Sequence, residues 1–341
     1  MSVNIYFPNI FKVIAGNNLT IRWIVLSLLI FTIFMISNKA HAACTISGTT
    51  NSSYNYTATT INSDATINYT GTITCTDNSN NIGTSKYMCM KAVFTGTTTA
   101  NNSVSMPYTV TGTISGAGNT TNLTSNTWYG PSTTVTNTNK SINYSISIKV
   151  PARTGTLFAY PKGTYVGNVQ LYWDMQANSS SVCEGNSGGG WDSGNATLTA
   201  NYIVPSLCQL NSTSNVDFGN IADIGITKKD YLAQGAISTT CNVSMPYSIY
   251  LGDGNNRVSG GFRRMANTNS EYIPYQLYKD SSYSTVWENT GSSSVGGAGG
   301  VNLTGTGNAQ NTSVYGKIPK GTNIASRSGN YTDSVVVTVT Y

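Results

Sequence analysis

The sequence predicts an all-β protein made of two immunoglobulin-like β-sandwiches in tandem, the C-terminal one without its last strand. Three observations support this fold class. Strand-favouring Thr, Val, Ile and Tyr are combined with turn-forming Gly, Asn and Asp, and no long helical pattern follows residue 42. The two halves of the chain repeat each other weakly. The alternating apolar segment at residues 335–341 has no partner strand after it.

The N-terminal segment predicts export. Its apolar run, "WIVLSLLIFTIFMI" at residues 23–36, follows Lys12 and Arg22 and precedes "AHA", the pattern of a secretory signal peptide that is cut after Ala42. An uncleaved membrane anchor is the alternative, but the run is short for a transmembrane span. We therefore expect residues 1–42 to be removed, and we expect no membrane insertion after the cleavage.

The composition argues against several classes of function. The 18 basic residues outnumber the 13 acidic ones, but three of the basic residues leave with the signal. The mature chain is then nearly neutral, so no nucleic-acid partner is expected. The one histidine, His41, is removed as well, which excludes Ser–His–Asp triads and histidine metal sites. With the carboxylates scattered, we expect no enzyme and no cofactor; a glycosidase is the remaining enzymatic alternative.

Four segments recur in the same order in the two halves, which indicates two copies of one module. The matched pairs are "CTISGTT" at Cys44 with "CQLNSTS" at Cys208, "TITC" at Cys75 with "STTC" at Cys241, residues 103–110 with 270–278, and residues 149–173 with 317–341. The sequence therefore predicts an N-terminal domain at 43–205 and a C-terminal domain at 206–341.

The repeat also assigns the cysteines, whose even number in an exported chain predicts disulfides. The expected bonds are Cys44–Cys75, Cys208–Cys241 and, from the two cysteines that remain, Cys89–Cys183. Each bond should stabilise its module by about 2–4 kcal/mol.

The two halves end differently. After the strand predicted at 165–173, the first half continues into another alternating strand at 196–204, whereas the second half stops at the corresponding strand. A seven-stranded sandwich that lacks its last strand exposes an apolar groove and a row of unpaired backbone groups. We expect a strand from another chain to fill this acceptor groove, which is formed by Val335, Val337, Val339 and Tyr341.

These features resemble a known family. The tail "KIPKG…SGNYTDSVVVTVTY", the early cysteine pair and "YQLYKDSSYSTVWENTG" are similar to the spore coat protein U domain, which occurs in pilin subunits of archaic, Csu-type chaperone–usher pili. The motifs cover residues 208–341, and residues 44–205 match only through the internal repeat. The resemblance implies donor-strand complementation. A periplasmic pilus chaperone would lend a strand, and an adjacent pilin subunit, assembled at the outer-membrane usher, would replace it.

The resemblance also implies a place in the fibre. A subunit that donates a strand needs an alternating segment before its first cysteine, but the predicted cleavage leaves only Ala43 before Cys44. We therefore expect the two-domain tip adhesin of such a pilus, exported through the periplasm to the fimbrium tip and acting in surface attachment and biofilm formation. Two alternatives remain open: a carbohydrate-binding lectin at the tip, and a secreted coat or matrix protein made without an usher.

The distal loops of the first half are the expected contact region, since they are longer than their counterparts and carry apolar residues among polar ones. An abiotic or host surface is the expected partner. The candidates are Ile82, Ala117, Leu123, Val182 and Trp191. The alternatives are that Trp191 packs in its own core and that Ile82 is an idle surface residue. A lectin would instead use Trp191 and Tyr129 as stacking platforms.

Three other aromatic residues are predicted to be structural. Trp128 matches Trp287 by order, which favours packing. Phe158 and Tyr160 are expected in the core or between the two domains.

Overall fold

The structure, a computed structural model, describes residues 43–76, 87–133, 141–176, 179–180, 182–183, 192–223, 225–324 and 327–341. The regular structure in these ranges is almost entirely β-strand, with two single-turn 3₁₀ helices at Thr60–Asn62 and Leu157–Ala159. The prediction of an all-β protein is confirmed. Within the same ranges, no helix is long and apolar enough to cross a membrane.

Ten strands belong to the first half. They are β1 Ala43–Ile46, β2 Asn51–Asn55, β3 Ala65–Thr76, β4 Tyr87–Phe94, β5 Thr109–Ile114, β6 Ala117–Asn119, β7 Thr127–Thr133, β8 Ser141–Val150, β9 Gly163–Gln176 and β10 Asp192–Val204. They form two five-stranded sheets, in the orders β1-β3-β8-β5-β6 and β2-β10-β9-β4-β7. Among these pairings, β2 with β10 is parallel and the others are antiparallel.

The two sheets enclose one core because their strands alternate between buried and exposed residues. In β8, "SINYSISIKV", every second side chain is buried. Trp173 on β9 is the largest fully buried side chain of the first half. Two buried phenols join the sheets: the Tyr69 hydroxyl donates to the Thr199 carbonyl (2.6 Å) and the Tyr202 hydroxyl to the Ile148 carbonyl (2.8 Å). These bonds satisfy the polar ends of rings whose bodies fill the core.

Ten further strands belong to the second half. They are β11 Cys208–Thr213, β12 Gly225–Ile226, β13 Tyr231–Cys241, β14 Pro246–Leu251, β15 Arg263–Ala266, β16 Tyr272–Tyr278, β17 Val301–Thr304, β18 Ala309–Ile318, β19 Asn323–Ile324 and β20 Val337–Thr340. Their sheets have the orders β11-β13-β18-β16-β15, β17-β14-β20 and β12-β19. Trp287 and Tyr247 are fully buried in the core of this half.

The strand count differs from the seven per module that the sequence suggested. The beginning of the first half divides into β1 and β2, which belong to different sheets, and the β5–β6 hairpin adds a short strand. The second half adds the two-stranded ribbon of β12 and β19. The immunoglobulin-like order of the strands stays a prediction.

The two halves meet at a hydrogen-bonded junction around Asn242, which follows β13 and is fully buried. The side-chain oxygen of Asn242 accepts the Leu207 N–H (2.6 Å), and its nitrogen donates to the carbonyls of Leu157 (3.2 Å) and Tyr160 (2.9 Å). The next backbone N–H in the chain donates to the Phe158 carbonyl (2.9 Å). One buried amide thus joins the first half, the connecting segment and the second half. Phe158 and Tyr160 lie at this junction, as predicted.

Candidate functional site

Strand β20 has one strand neighbour. It pairs antiparallel with β14, with Leu251 opposite Val337 and Ser248 opposite Thr340. The other side of β14 is occupied by β17, so the sheet order places β20 at an edge. In the ranges that the structure describes, no second strand pairs with β20. Its outer backbone groups are therefore available for a partner strand.

The first half shows what an occupied edge looks like. There, the internal repeat aligns β9 with β20, and β9 has β4 on one side and β10 on the other. Strand β10 pairs in turn with β2, over the register from Asn51 to Asn55. The position that β10 fills in the first half has no occupant in the second half among the described residues.

The second half also contains a counterpart of β2, the strand that pairs with β10 in the first half. This counterpart is segment 215–223, which follows β11 just as β2 follows β1. Ser214 N–H donates to the Ala236 carbonyl (2.9 Å), but in 215–223 no backbone group forms a backbone–backbone hydrogen bond with another described residue. Segment 215–223 and the outer edge of β20 thus both lack a strand partner among the described residues. We call the space between segment 215–223 and residues 327–341 the acceptor cleft.

Apolar side chains hold segment 215–223 against the second core. The rings of Phe218 and Tyr275 meet edge to face, with centroids 6.0 Å apart. Val216 and Phe218 pack over two glycines, Gly235 on β13 and Gly316 on β18. A Cβ on Gly235 would lie 2.9 Å from the Val216 Cγ2, and a Cβ on Gly316 would lie 2.9 Å from the Phe218 Cζ. Larger residues at these glycines would push the segment away from the core.

The acceptor cleft contains a cavity of about 930 Å³ at the end where β20 begins. Residues 216–223 line one side and residues 327–332 the other, and apolar side chains that include Met265, Ile273 and Ile324 also contribute. The lining combines these apolar side chains with polar ones such as Asp217 and Arg327, and segment 216–223 offers backbone groups without backbone partners among the described residues. Such a cavity suits an extended peptide.

The last strand presents the predicted alternation. Val335, Val337 and Val339 are half-buried and pack against the second core, whereas Val336 points outward and is 70% exposed. Tyr341 is 52% exposed. The inward valines form a row that the core covers on one side only.

Asp333 fixes the start of this strand. Its carboxylate accepts the Tyr275 hydroxyl (2.7 Å) and the backbone N–H groups of Asn255 (2.8 Å) and Ser334 (2.9 Å). Burial, and secondarily the Asp333 carboxylate, raise the pKa of Tyr275, so the phenol remains a donor. The strand therefore starts at a position set by hydrogen bonds, although one of its edges is open.

Arg263 braces the adjoining end of β14. Its guanidinium is fully buried and donates to the carbonyls of Gly252 (2.8 Å), Leu251 (3.1 Å) and Trp287 (2.7 Å). Burial lowers the pKa of Arg263. Because these three acceptors are backbone carbonyls, Arg263 holds the end of β14, the strand beside β20, in position.

Each half contains one disulfide that the structure describes. Cys89 is bonded to Cys183, and Cys208 is bonded to Cys241. Cys44 and Cys75 are opposite each other in the β1–β3 register, and their side chains lie outside the part that the structure describes.

Two of the predicted contact residues are corrected by the structure. Ala117 is 1% exposed and Leu123 is 6% exposed, and both belong to the first core. The reason is a tight turn at Ser115 and Gly116, which have φ of 46° and 86° and fold Ala117 back opposite Ile114. Leu123 is drawn inward by a hydrogen bond from its N–H to the Val110 carbonyl (2.8 Å).

Of the other contact candidates, Val182 is 61% exposed and stands beside the buried, disulfide-bonded Cys183. Ile82 and Trp191 lie outside the described residues. Tyr129, considered for a lectin, packs against the first core, and its hydroxyl accepts the Thr124 N–H (2.6 Å).

Sequence reasoning missed two features. Segment 215–223 has an alternating beginning, "NVDFG", that could have marked it as the second flank of the cleft.

Trp128 is not the counterpart of Trp287. Trp287 is fully buried and its Nε1 donates to the Ile249 carbonyl (2.8 Å), whereas Trp128 lies on an outer sheet face beside Lys91.

Comparisons with known proteins give four likenesses. A family model described as the Spore Coat Protein U domain matches residues 194–338, a range that ends within β20. Protein U of Myxococcus xanthus is 30% identical over 162 residues, which are 43% of this chain and 86% of that protein. Among solved structures, the CsuC–CsuE chaperone–tip adhesion subunit complex from archaic chaperone–usher Csu pili of Acinetobacter baumannii is similar with a TM-score of 0.45 and 17% identity, over 87% of this chain and 100% of that one. The CupB6 tip adhesin of Pseudomonas aeruginosa has a TM-score of 0.36 and 8% identity, over 88% and 95%.

Proposed function

Because the chain belongs to the spore coat protein U domain family, we propose that it is the tip adhesin subunit of a chaperone–usher pilus. In this proposal, residues 206–341 form a pilin domain that takes a strand from another chain, and residues 43–205 form the adhesive domain. The observation that carries it is the acceptor cleft: the outer edge of β20 and segment 215–223 both lack a strand partner among the described residues.

The physical reason for strand capture is the combination of open backbone groups with half-buried valines. A strand inserted in the acceptor cleft would pair on both sides and cover Val335, Val337 and Val339, with Tyr341 at the far end. Inserting about four apolar side chains is worth roughly 6–12 kcal/mol, at about 1.5–3 kcal/mol each. A gain of this size supports a stable complex between two chains.

The proposed partners follow from this requirement. A periplasmic chaperone would supply the strand first, which keeps the valines out of water during export. An adjacent pilin subunit would then replace it at the outer-membrane usher. The result is a subunit that passes through the periplasm and is displayed at the cell surface, at the fimbrium tip.

The geometry of the first half supports contact at its far end. Strand β9 begins at Gly163, close to the junction, and runs for 14 residues to Gln176. At about 3.3 Å per residue this is about 45 Å. The Cys89–Cys183 bond lies at that far end and holds the exposed Val182 in place. We propose that Val182, together with Ile82 and Trp191, attaches the cell to abiotic or host surfaces by apolar contact and so promotes biofilm formation.

The test of strand capture is co-expression of residues 43–341 with and without a periplasmic pilus chaperone, followed by native mass spectrometry. The expected product is a 1:1 heterodimer, with free subunit found only as aggregate. A free monomer that is soluble and thermally stable would contradict the proposal and would favour a secreted coat or matrix protein.

The test of attachment is adhesion of piliated cells to bare polystyrene. The triple variant Ile82→Ser, Val182→Ser, Trp191→Ser should lose most of the adhesion. Leu232→Ser is the matched control, because Leu232 is 52% exposed but belongs to the second half. Unchanged adhesion of the triple variant, with inhibition by a free sugar, would favour a lectin instead.

A further inference from the structure

The outer face of the sheet β2-β10-β9-β4-β7 carries a row of four side chains at one level. Lys91 on β4 is opposite Trp128 on β7 and Tyr172 on β9, and Tyr172 is opposite Asn195 on β10. Tyr172 lies between the buried Leu171 and Trp173, so it points away from the core. We call these four residues, Trp128, Lys91, Tyr172 and Asn195, the aromatic–lysine row.

The ammonium group in this row lies between two aromatic rings. Lys91 Nζ is 5.0 Å from the ring centroid of Trp128 and 5.0 Å from that of Tyr172. These distances are within the range of cation–π attraction, which fixes the long side chain in one place. Both rings and the lysine remain partly exposed to solvent.

Among the described residues, Lys91 has no carboxylate partner. The salt bridges of the described chain involve Lys149, Lys317, Arg257 and Arg327, and all four cations lie elsewhere. The carboxylate of Asp174, which is on the same strand as Tyr172, is fully buried and accepts a hydrogen bond from Gln176. The row therefore presents a fixed positive charge without an anion from the protein beside it.

Neutral hydrogen-bonding groups continue the row. Gln170 donates to the Asn195 side-chain oxygen (2.7 Å) and accepts the Thr197 hydroxyl (2.6 Å). These bonds orient the Asn195 amide, whose two N–H groups have no partner among the described residues and face solvent on an exposed side chain. Four adjacent strands at about 4.8 Å spacing give the row a length of about 14 Å, enough for a short oligosaccharide.

From this geometry we infer that the aromatic–lysine row binds an acidic polysaccharide, a chain of sugar rings that carry carboxylates. The aromatic rings suit the apolar faces of pyranoses, Lys91 suits a sugar carboxylate, and the Asn195 amide suits hydroxyls. One lysine on an otherwise neutral face does not suit nucleic acid, which needs many cations. The site is separate from the acceptor cleft and from the distal loops, so it adds a second kind of ligand to the proposed adhesin.

The test is binding of the full mature chain, free or in its chaperone complex, to polygalacturonate, with fully methyl-esterified polygalacturonate as the uncharged probe. The wild type should bind the acid form and not the ester. Lys91→Gln should weaken binding by about tenfold, which corresponds to 1.4 kcal/mol. Lys91→Arg should retain binding, because arginine keeps the charge and stacks on aromatic rings.

Lys228→Gln is the matched control, since it removes the same charge from an exposed position in the second half. It should bind like the wild type. The inference is overturned if the wild type binds neither probe, if it binds both equally, or if Lys91→Gln lowers the melting temperature but leaves binding unchanged. Because the measurement needs neither a pilus nor an usher, its outcome is independent of the function proposed above.

Discussion

Replacing the inward valines of the last strand is the most direct test of strand capture. Val337 and Val339 are half-buried against the second core, whereas Val336, which directly precedes Val337, is 70% exposed. The double variant Val337→Ser, Val339→Ser should weaken binding of the chaperone, whereas Val336→Ser should not. The two variants alter neighbouring positions of one strand and differ in which face they change.

The magnitude follows from the burial. Covering a valine fully is worth about 1.5–3 kcal/mol, and because the core already covers roughly two thirds of each side chain, an incoming strand adds about 0.5–1 kcal/mol per valine. The double variant should therefore lose about 1–2 kcal/mol, or roughly 5- to 30-fold in affinity.

The assay is a competition. Wild type and variant, with different tags, are co-expressed with a limiting amount of chaperone, and mass spectrometry gives their ratio in the complex. The reasoning fails if Val336→Ser competes as poorly as the double variant, because the inward face would then have no special role. An undiminished share for the double variant would refute it as well.

Three further outcomes are expected. Gly316→Ala should lower the free energy of unfolding of the second half by about 1–3 kcal/mol, because the added Cβ would lie 2.9 Å from the Phe218 Cζ. In the control variant Gly329→Ala, the added Cβ meets only an amide nitrogen at 4.0 Å. Urea unfolding of this control should give a free energy within about 0.5 kcal/mol of the wild type. Asn242→Ala leaves buried partners unpaired at the junction and should cost about 1–3 kcal/mol; an unchanged unfolding midpoint would contradict this. Burial raises the pKa of Tyr69 and Tyr165 to about 12, above the value of about 10 in unfolded chains. The stability from these phenols should be complete below pH 10 and fall as the pH rises from about 10 to 12, as followed by urea midpoints and tyrosinate absorbance.

Sequence alternation predicted best which side chains of a strand point toward the core. The alternation of residues 335–339 gave the inward valines correctly, because in a strand the side-chain direction follows from the position along the chain.

Other features depend on tertiary structure. Ala117 was taken for a loop residue because "SGAG" is typical of loops, but the positive φ angles of Ser115 and Gly116 make a tight hairpin that buries it. The aromatic–lysine row depends on the register of three strands that are distant in sequence. No local pattern around Lys91 contains that information.

The short connection between the two halves has a mechanical consequence. Only three residues separate Val204, the end of β10, from Cys208, the start of β11, so the connection has little slack. Tension between the halves would reach Cys208 at once and pass through its disulfide to Cys241 on β13, which has a strand on each side. A covalent load path of this kind prevents β11 from peeling off, whereas β20 has one strand neighbour among the described residues and no such covalent link, so a borrowed strand would add to its resistance.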